Sequence, residues 1–399
     1  MNQDKNYTKK QFFIIVLFIV FFSFSIIGIK FKVVSSILMS NRGDFAQPDL
    51  IQSDLDQPDL IQYDESRSLL VQNIGFSNKE NDFVLSTIKK QNTLRWLYQD
   101  IKVIFESNTK YCPNLEKIKS LVNDVEEVEI VCSRLVYEIS EHQQFSILIK
   151  HKKSENKSLL VYNHGHGGIP ASEEIFAIDF INKVLNAGYD VLIVSMPFVG
   201  INFFHYDFKV KTCDGYGIIS KELLGERLHD LFTLVDTGKS HAIRFFIDDV
   251  VISVLHLRQN YEIVDYVGLS GGANTGLITC GLLAGILNQC ILVAGVMPMN
   301  LRGNTMNFGD WEQFSDSLNK KTTVFDIIQE VSTSNTKLHL RYNNRDSCCF
   351  AEPTATLFLE QIEERKIEVA SFKIRDSDKH GYDPEEILSI LLTRQPVVE

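Results

Sequence analysis

The sequence has no excess of positive charge and no basic cluster. Its 399 residues carry 40 Lys and Arg against 51 Asp and Glu, a net charge of −11. A nucleic-acid-binding face needs a basic patch or stripe, so that class is set aside. Proline and glycine are scarce too, at 9 and 22, which excludes a collagen-like or low-complexity chain. Seven cysteines form an odd set with no C-x-x-C pair. They support neither a compact disulfide scaffold nor a four-cysteine zinc site. What is present, 44% hydrophobic and 23% charged residues, is an ordinary globular balance.

One long apolar run stands out. Residues 12–29 are apolar except for Ser23, Ser25 and Gly28, with Lys9 and Lys10 before them and Lys30 and Lys32 after. As a helix the run spans roughly 27 Å, enough for a bilayer core. Two readings are open: an uncleaved membrane anchor, or a signal peptide with Ser23 and Ser25 at a small-x-small cleavage site. Residues 1–35 are assigned to this segment. Either reading accommodates the rest of the chain outside the cytoplasm, membrane-anchored or, after cleavage, secreted. Residues 36–70 then read as an acidic linker. Within it Gln47-Pro-Asp-Leu-Ile-Gln52 recurs as Gln57-Pro-Asp-Leu-Ile-Gln62. Two copies are too few to stack as a solenoid, and a docking segment for a partner is the other reading of the repeat.

Residues 71–129 read as a helical extension. Leu85, Ile88, Leu94, Leu97, Ile101 and Ile104 fall on helix-like spacing, and a further helix is expected over 115–122. From residue 130 the texture changes. Residues 131–139 and 145–149 alternate like an antiparallel hairpin. After them, apolar strands at 158–162, 191–194, 263–269, 290–296, 337–342 and 368–374 interleave with helices at 173–185, 242–257, 275–287, 354–365 and 385–393. Such alternation implies an α/β fold, a mostly parallel sheet with helices on both faces. Two long interruptions, 198–240 and 297–333, read as functional insertions.

Gly268-Leu269-Ser270-Gly271-Gly272 fits G-x-S-x-G between a β-rich run and an apolar helix. A serine on that strand-to-helix turn has its hydroxyl clear of the backbone, as a nucleophile needs. An ordinary Gly-rich turn is the plain alternative. A second motif, His164-Gly165-His166-Gly167-Gly168, follows the strand at 158–162. Acyl transfer needs two N–H donors on the oxyanion. One is expected from Gly271, the residue after the nucleophile, and the other from such a Gly-rich loop. A rival reading makes His164 and His166 a metal pair, but no nearby sequence completes a ligand set. The base and its orienting carboxylate are expected at His380, after the last strand, and Asp346, after the strand before it. The order Ser270, Asp346, His380 is that of one triad architecture. Asp310, Asp376 and Asp378 are competing acids, and the remaining histidines, His229 among them, lie in core-like or loop stretches with no comparable position.

This constellation resembles the α/β-hydrolase superfamily, in particular its serine esterases with an H-G-x-G-G loop. The resemblance covers residues 130–399. It implies an eight-stranded sheet with an antiparallel second strand, hydrolysis of an ester-like bond, and the backbone N–H of His166 as the second oxyanion donor. The adjacent pair Cys348-Cys349 is unusual beside a triad acid. Vicinal cysteines bridge poorly, so these are expected as buried or free thiols. The expected chemistry is a serine hydrolase acting on a small ester or acyl substrate, with no cofactor and no metal. An acyltransferase or peptidase using the same three residues, and a membrane-tethered binding module without turnover, stay open as alternatives. Oligomeric state is not legible.

Overall fold

The computed structural model describes residues 79–88, 92–98, 103–107, 112–113, 115–137, 142–152, 157–168, 175–202, 208–212, 215–219, 228–235, 241–302 and 310–393. The chain divides into two units, Met1–Asn73 and Ile74–Glu399, and every described residue belongs to the second. The apolar run at 12–29, the linker at 36–70 and its repeat lie outside the described residues. Among the described residues no helix is long and apolar enough to cross a membrane.

The described residues form eleven strands, β1 (Val103–Glu106), β2 (Val128–Tyr137), β3 (Gln143–His151), β4 (Ser158–Asn163), β5 (Tyr189–Val194), β6 (Phe208–Thr212), β7 (Gly215–Ile219), β8 (Ile263–Leu269), β9 (Gln289–Val293), β10 (Lys337–Asn343) and β11 (Ser371–Arg375). The longer helices are α1 (Lys79–Thr87), α2 (Ile175–Asn186), α3 (Arg244–Leu257), α4 (Gly271–Leu282), α5 (Val324–Ser332), α6 (Thr354–Glu364) and α7 (Pro384–Leu392). Nine strands form one sheet in the order β1-β2-β3-β5-β4-β8-β9-β10-β11; β6 and β7 pair separately. From β5 to β11 every pairing is parallel, whereas β3 runs antiparallel to both β2 and β5.

The central strands are buried because they are apolar on both faces. Every residue of β4, β5 and β9 is buried, as expected of a parallel sheet covered on each side. Neighbouring residues of β8 show the two layers directly, since they point to opposite faces. The Tyr266 hydroxyl donates to Gly272 O in α4. The Asp265 carboxylate accepts from the Tyr189 hydroxyl, which also lies 3.1 Å from Leu391 O in α7. Helix α4 is packed against α3 and α5 and has eleven of its residues buried, so it is apolar all round. Local signals set the ends of other elements. Thr323 and Asp326 form a capping box at the start of α5. Asp383, followed by Pro384, caps α7.

Three expectations are corrected. The resemblance implies eight strands, and the described sheet has nine. The ninth, β1, comes from the stretch expected to be wholly helical. There α1 ends at Thr87, a single turn covers Arg95–Tyr98, and Val103–Glu106 pairs antiparallel with β2. β-Branched Val103 and Ile104 with Phe105 favour a pleated edge, and pairing with β2 overrides the helical spacing. The expected helix at 115–122 is shorter, Leu115–Lys119. Finally, Cys348 and Cys349 are not thiols but are joined to each other, alongside the pairs Cys112–Cys132 and Cys280–Cys290.

Candidate active site

Strand β8 stops at Leu269 and α4 begins at Gly271, leaving Ser270 alone in the turn at φ 56° and ψ −126°. A side chain other than glycine persists there only where its surroundings over-determine it. Here the Ser270 N–H donates to Val293 O at 2.9 Å, and the Ser270 carbonyl accepts from Ala273 and Asn274. Glycine is required on both sides of the turn. A Cβ at Gly268 would collide with Gly272 O, and one at Gly272 with Asn163 O. The ends of β8 and β4 and the start of α4 therefore meet backbone to backbone, and the Ser270 side chain is left half-buried at the strand end.

The loop after β4 is laid against this turn. Residues Gly165–Gly167 make one 3-10 turn, with Gly165 at φ 74°. A Cβ there would lie 2.5 Å from Leu269 O and 2.9 Å from Gly271 N. Asn163 holds the loop by accepting from the Gly165 N–H at 3.0 Å. The amides of His166 and Gly271 both fall in the first turn of a helical segment, where an N–H has no acceptor within the helix.

Asp346 and His380 meet beyond the ends of β10 and β11. His380 Nδ1 lies 3.0 Å from Asp346 Oδ1 and 2.9 Å from Oδ2. The Asp346 side chain is fully buried, and its Oδ1 also accepts from the N–H groups of Cys348 and Cys349. Asn343, the last residue of β10, donates to Lys379 O and Gly381 O at 2.7 and 2.8 Å. Further bonds from Arg345 N to Ser377 O and from Ser347 N to Asp378 O join the two loops. His380 Nε2 is buried and makes no hydrogen bond to any described residue, Ser270 included. The competing acids lie elsewhere. Asp376 is on the surface with Arg345 and Asn344, and Asp310 contacts His166.

His166 carries a second constellation that the sequence does not announce. Its Nε2 lies 2.8 Å from Asp310 Oδ2, 3.3 Å from Glu312 Oε1 and 3.2 Å from His229 Nδ1. His229 Nδ1 is in turn 3.1 Å from Glu312 Oε2, and His229 Nε2 is 2.8 Å from Pro197 O. Burial would lower the pKa of His166, but the Glu312 and Asp310 carboxylates outweigh it and raise it to about 10. Burial would raise the pKa of Glu312, and the two imidazoles instead hold it well below the usual carboxylate range. The two insertions converge here. Phe232 packs on Phe246 and Trp311, next to His229 and Glu312. Only His166 of the His164 and His166 pair takes part. The ligand-type partners that the sequence near His166 lacks are supplied instead from 63 residues onward, at His229, and a further 83 residues on, at Glu312. No local spacing reports such a distance.

No known protein family matches the chain, and no curated protein does. Several solved structures are similar to it. Acetyl xylan esterase 1 from Thermoanaerobacterium sp. JW/SL YS485 is 12% identical, over 79% of this chain and 91% of that one, with a TM-score of 0.46. Est1E from Butyrivibrio proteoclasticus is 14% identical, over 63% of this chain and 94% of that one, with a TM-score of 0.42. A putative dienelactone hydrolase from Klebsiella pneumoniae subsp. pneumoniae MGH 78578 is 11% identical, over 65% of this chain and 90% of that one, with a TM-score of 0.39.

Proposed function

We propose that the chain is a serine hydrolase of the α/β-hydrolase kind, cleaving a small carboxylic ester by two-step acyl transfer. The observation that carries this reading is the placement of Ser270. It stands alone at positive φ between β8 and α4, with the bonded pair Asp346 and His380 beyond two later strands of the same sheet. Open α/β sheets bind ligands at the carboxyl ends of their strands.

In this mechanism Ser270 Oγ attacks the ester carbonyl and His380 Nε2 takes its proton. Nε2 makes no hydrogen bond to a described residue, and such bonds commonly tighten only when substrate arrives. Asp346 accepts from His380 Nδ1–H, which fixes the tautomer and stabilises the imidazolium. The amides of Gly271 and His166 receive the oxyanion. His380 then gives its proton to the leaving alcohol and activates water to release the acid. The steps need only groups of this chain and water.

A fluorophosphonate probe tests the reading. The folded wild-type chain is expected to label and Ser270→Ala to remain unlabelled. Absence of labelling in folded wild-type protein would favour a binding module over an enzyme.

The location belongs to the same proposal. Residues 12–29 anchor the chain in a membrane, with the catalytic domain outside the cytoplasm. Pairing of six of the seven cysteines supports an oxidising compartment. Full-length protein is then expected to stay with membranes through a carbonate wash; release, with a mature N-terminus beyond Ser25, would mean a cleaved signal.

A further inference from the structure

The geometry around His166 points to a metal site. We propose that His166 Nε2, His229 Nδ1 and the Glu312 carboxylate bind one zinc-class divalent ion, and that this ion pins the loop after β4 to the two insertions.

The spacing fits first. The three donor groups lie within 4.8 Å of one another, and the nearest pairs are 3.1 to 3.3 Å apart. Corners of a tetrahedron with zinc–ligand bonds of about 2.0–2.2 Å are roughly 3.3–3.6 Å apart. The two ring nitrogens, and each ring nitrogen with its nearer Glu312 oxygen, stand a few tenths of an ångström inside or at the edge of that spacing, Oε1 on the His166 side and Oε2 on the His229 side.

Hydrogen arithmetic argues the same way. Pro197 O can only accept, so His229 Nε2, 2.8 Å away, carries a hydrogen. In the neutral ring Nδ1 is then a lone pair, and it faces Glu312 Oε2 and His166 Nε2. His166 Nε2 has at most one hydrogen to give, yet it faces Asp310, Glu312 and His229 together. Protonating both rings does not resolve this, because two N–H groups then point at each other across 3.2 Å. With both carboxylates ionised, every protonation state of the two rings leaves one contact with like ends facing. A cation receives all of the lone pairs at once.

A third observation concerns the buried carboxylate. Glu312 is 1% exposed, and its Oε1 makes no hydrogen bond among the described residues. Its one close contact is the ion pair with His166 Nε2 at 3.3 Å, and a buried carboxylate oxygen without a hydrogen bond is costly. The bond from His229 Nε2–H to a backbone carbonyl is also the outer support that metal-bound histidines make. Two imidazoles with carboxylate favour zinc-class ions over magnesium or calcium, which take oxygen ligands.

The ion sits beside the acyl chemistry without joining it. A Cβ at Gly271 would lie 2.7 Å from the His166 ring, so that ring rests on the residue after Ser270. Fixing the ring fixes the loop that carries the His166 amide.

The test uses the full chain without a histidine tag, stripped with chelator and checked for folding by circular dichroism. Titration with Zn²⁺ is expected to show one saturable site per chain, and Co²⁺ to give the visible absorption of a tetrahedral site. Glu312→Gln and His229→Gln should each weaken Zn²⁺ binding by more than the roughly 10–100-fold that losing an outer partner costs. Failure of folded wild-type chain to bind Zn²⁺, a Co²⁺ complex without the tetrahedral absorption, or undiminished binding in folded Glu312→Gln would each overturn the site, leaving a purely ionic cluster. None of these readouts uses hydrolysis, so the result is separate from the fate of the Ser270 mechanism.

Discussion

Asn343 grips the backbone on both sides of His380, donating to the carbonyls of Lys379 and Gly381. The amide is 2% exposed and is itself held through Oδ1 by Arg375 Nε at 3.1 Å. The imidazole is thus positioned by the end of β10, the strand that also leads to Asp346. Asn343→Ala is expected to lower kcat by about 10²-fold, the cost of roughly 1 Å of misplacement at a catalytic group, with KM little changed. An equal loss in thermal stability with unaltered kcat would make Asn343 merely structural.

Asp346→Asn removes the charge that the proposed mechanism places against the imidazolium, and it favours the wrong tautomer. A loss of ~10⁴-fold in kcat is expected. Asp376→Asn, on the surface beside Arg345, is expected to leave kcat within a factor of about two, as for a substitution outside the machinery. Similar losses in the two variants would remove Asp346 from the role.

Gly272→Ala is the sharpest probe of the turn at Ser270. The added methyl would collide with Asn163 O and approach the Asn163 side chain to 2.7 Å. Both are held by β4 and its loop, so neither can give way cheaply. Destabilisation of about 1–3 kcal/mol is expected, as for overpacking elsewhere, together with loss of probe labelling. A variant as stable and as reactive as wild type would mean that β8 and β4 do not meet as described.

Asp249 in α3 provides a test of stability against pH. It is 3% exposed; Oδ1 accepts from the Val250 N–H at 2.8 Å, and Oδ2 has no hydrogen bond among the described residues. Burial, and then the nearby Asp248, push its pKa well above the ordinary value. Above about pH 3.9 the unfolded chain gives up this proton while the folded chain keeps it, so stability falls as pH rises toward the folded pKa. Asp249→Asn abolishes that penalty. It is expected to stabilise the chain against urea by about 1–3 kcal/mol near pH 8 and by less near pH 5. A difference independent of pH would show that the carboxyl does not titrate anomalously.

The parallel core was legible because its signals are local. Buried strands such as β4 and β9 are short apolar runs, and the glycines around Ser270 sit within five consecutive residues. The edge strand was not legible. Val103–Glu106 has only four residues, and it becomes a strand only because β2 offers an unpaired edge. The His166 cluster was hidden for a different reason. His229 and Glu312 lie in the two insertions, and what brings them together is the packing of Phe232 on Trp311. Pairwise packing across insertions has no period and no motif. The bridge between Cys348 and Cys349 ran against a general geometric rule.

Strand β1 also sets where the chain can be cut. It occupies the edge of β2 through the register Val103 with Tyr137 to Glu106 with Arg134. A chain beginning near residue 71 retains this cover and is expected to label with the probe. A chain beginning near residue 130 would expose the row of unpaired N–H and C=O groups along β2, with the apolar residues Val131 and Leu135 among them. Open edges of that kind recruit other chains. The segment before the parallel core thus covers the β2 edge, and its removal is expected to be felt in solubility before it is felt in chemistry.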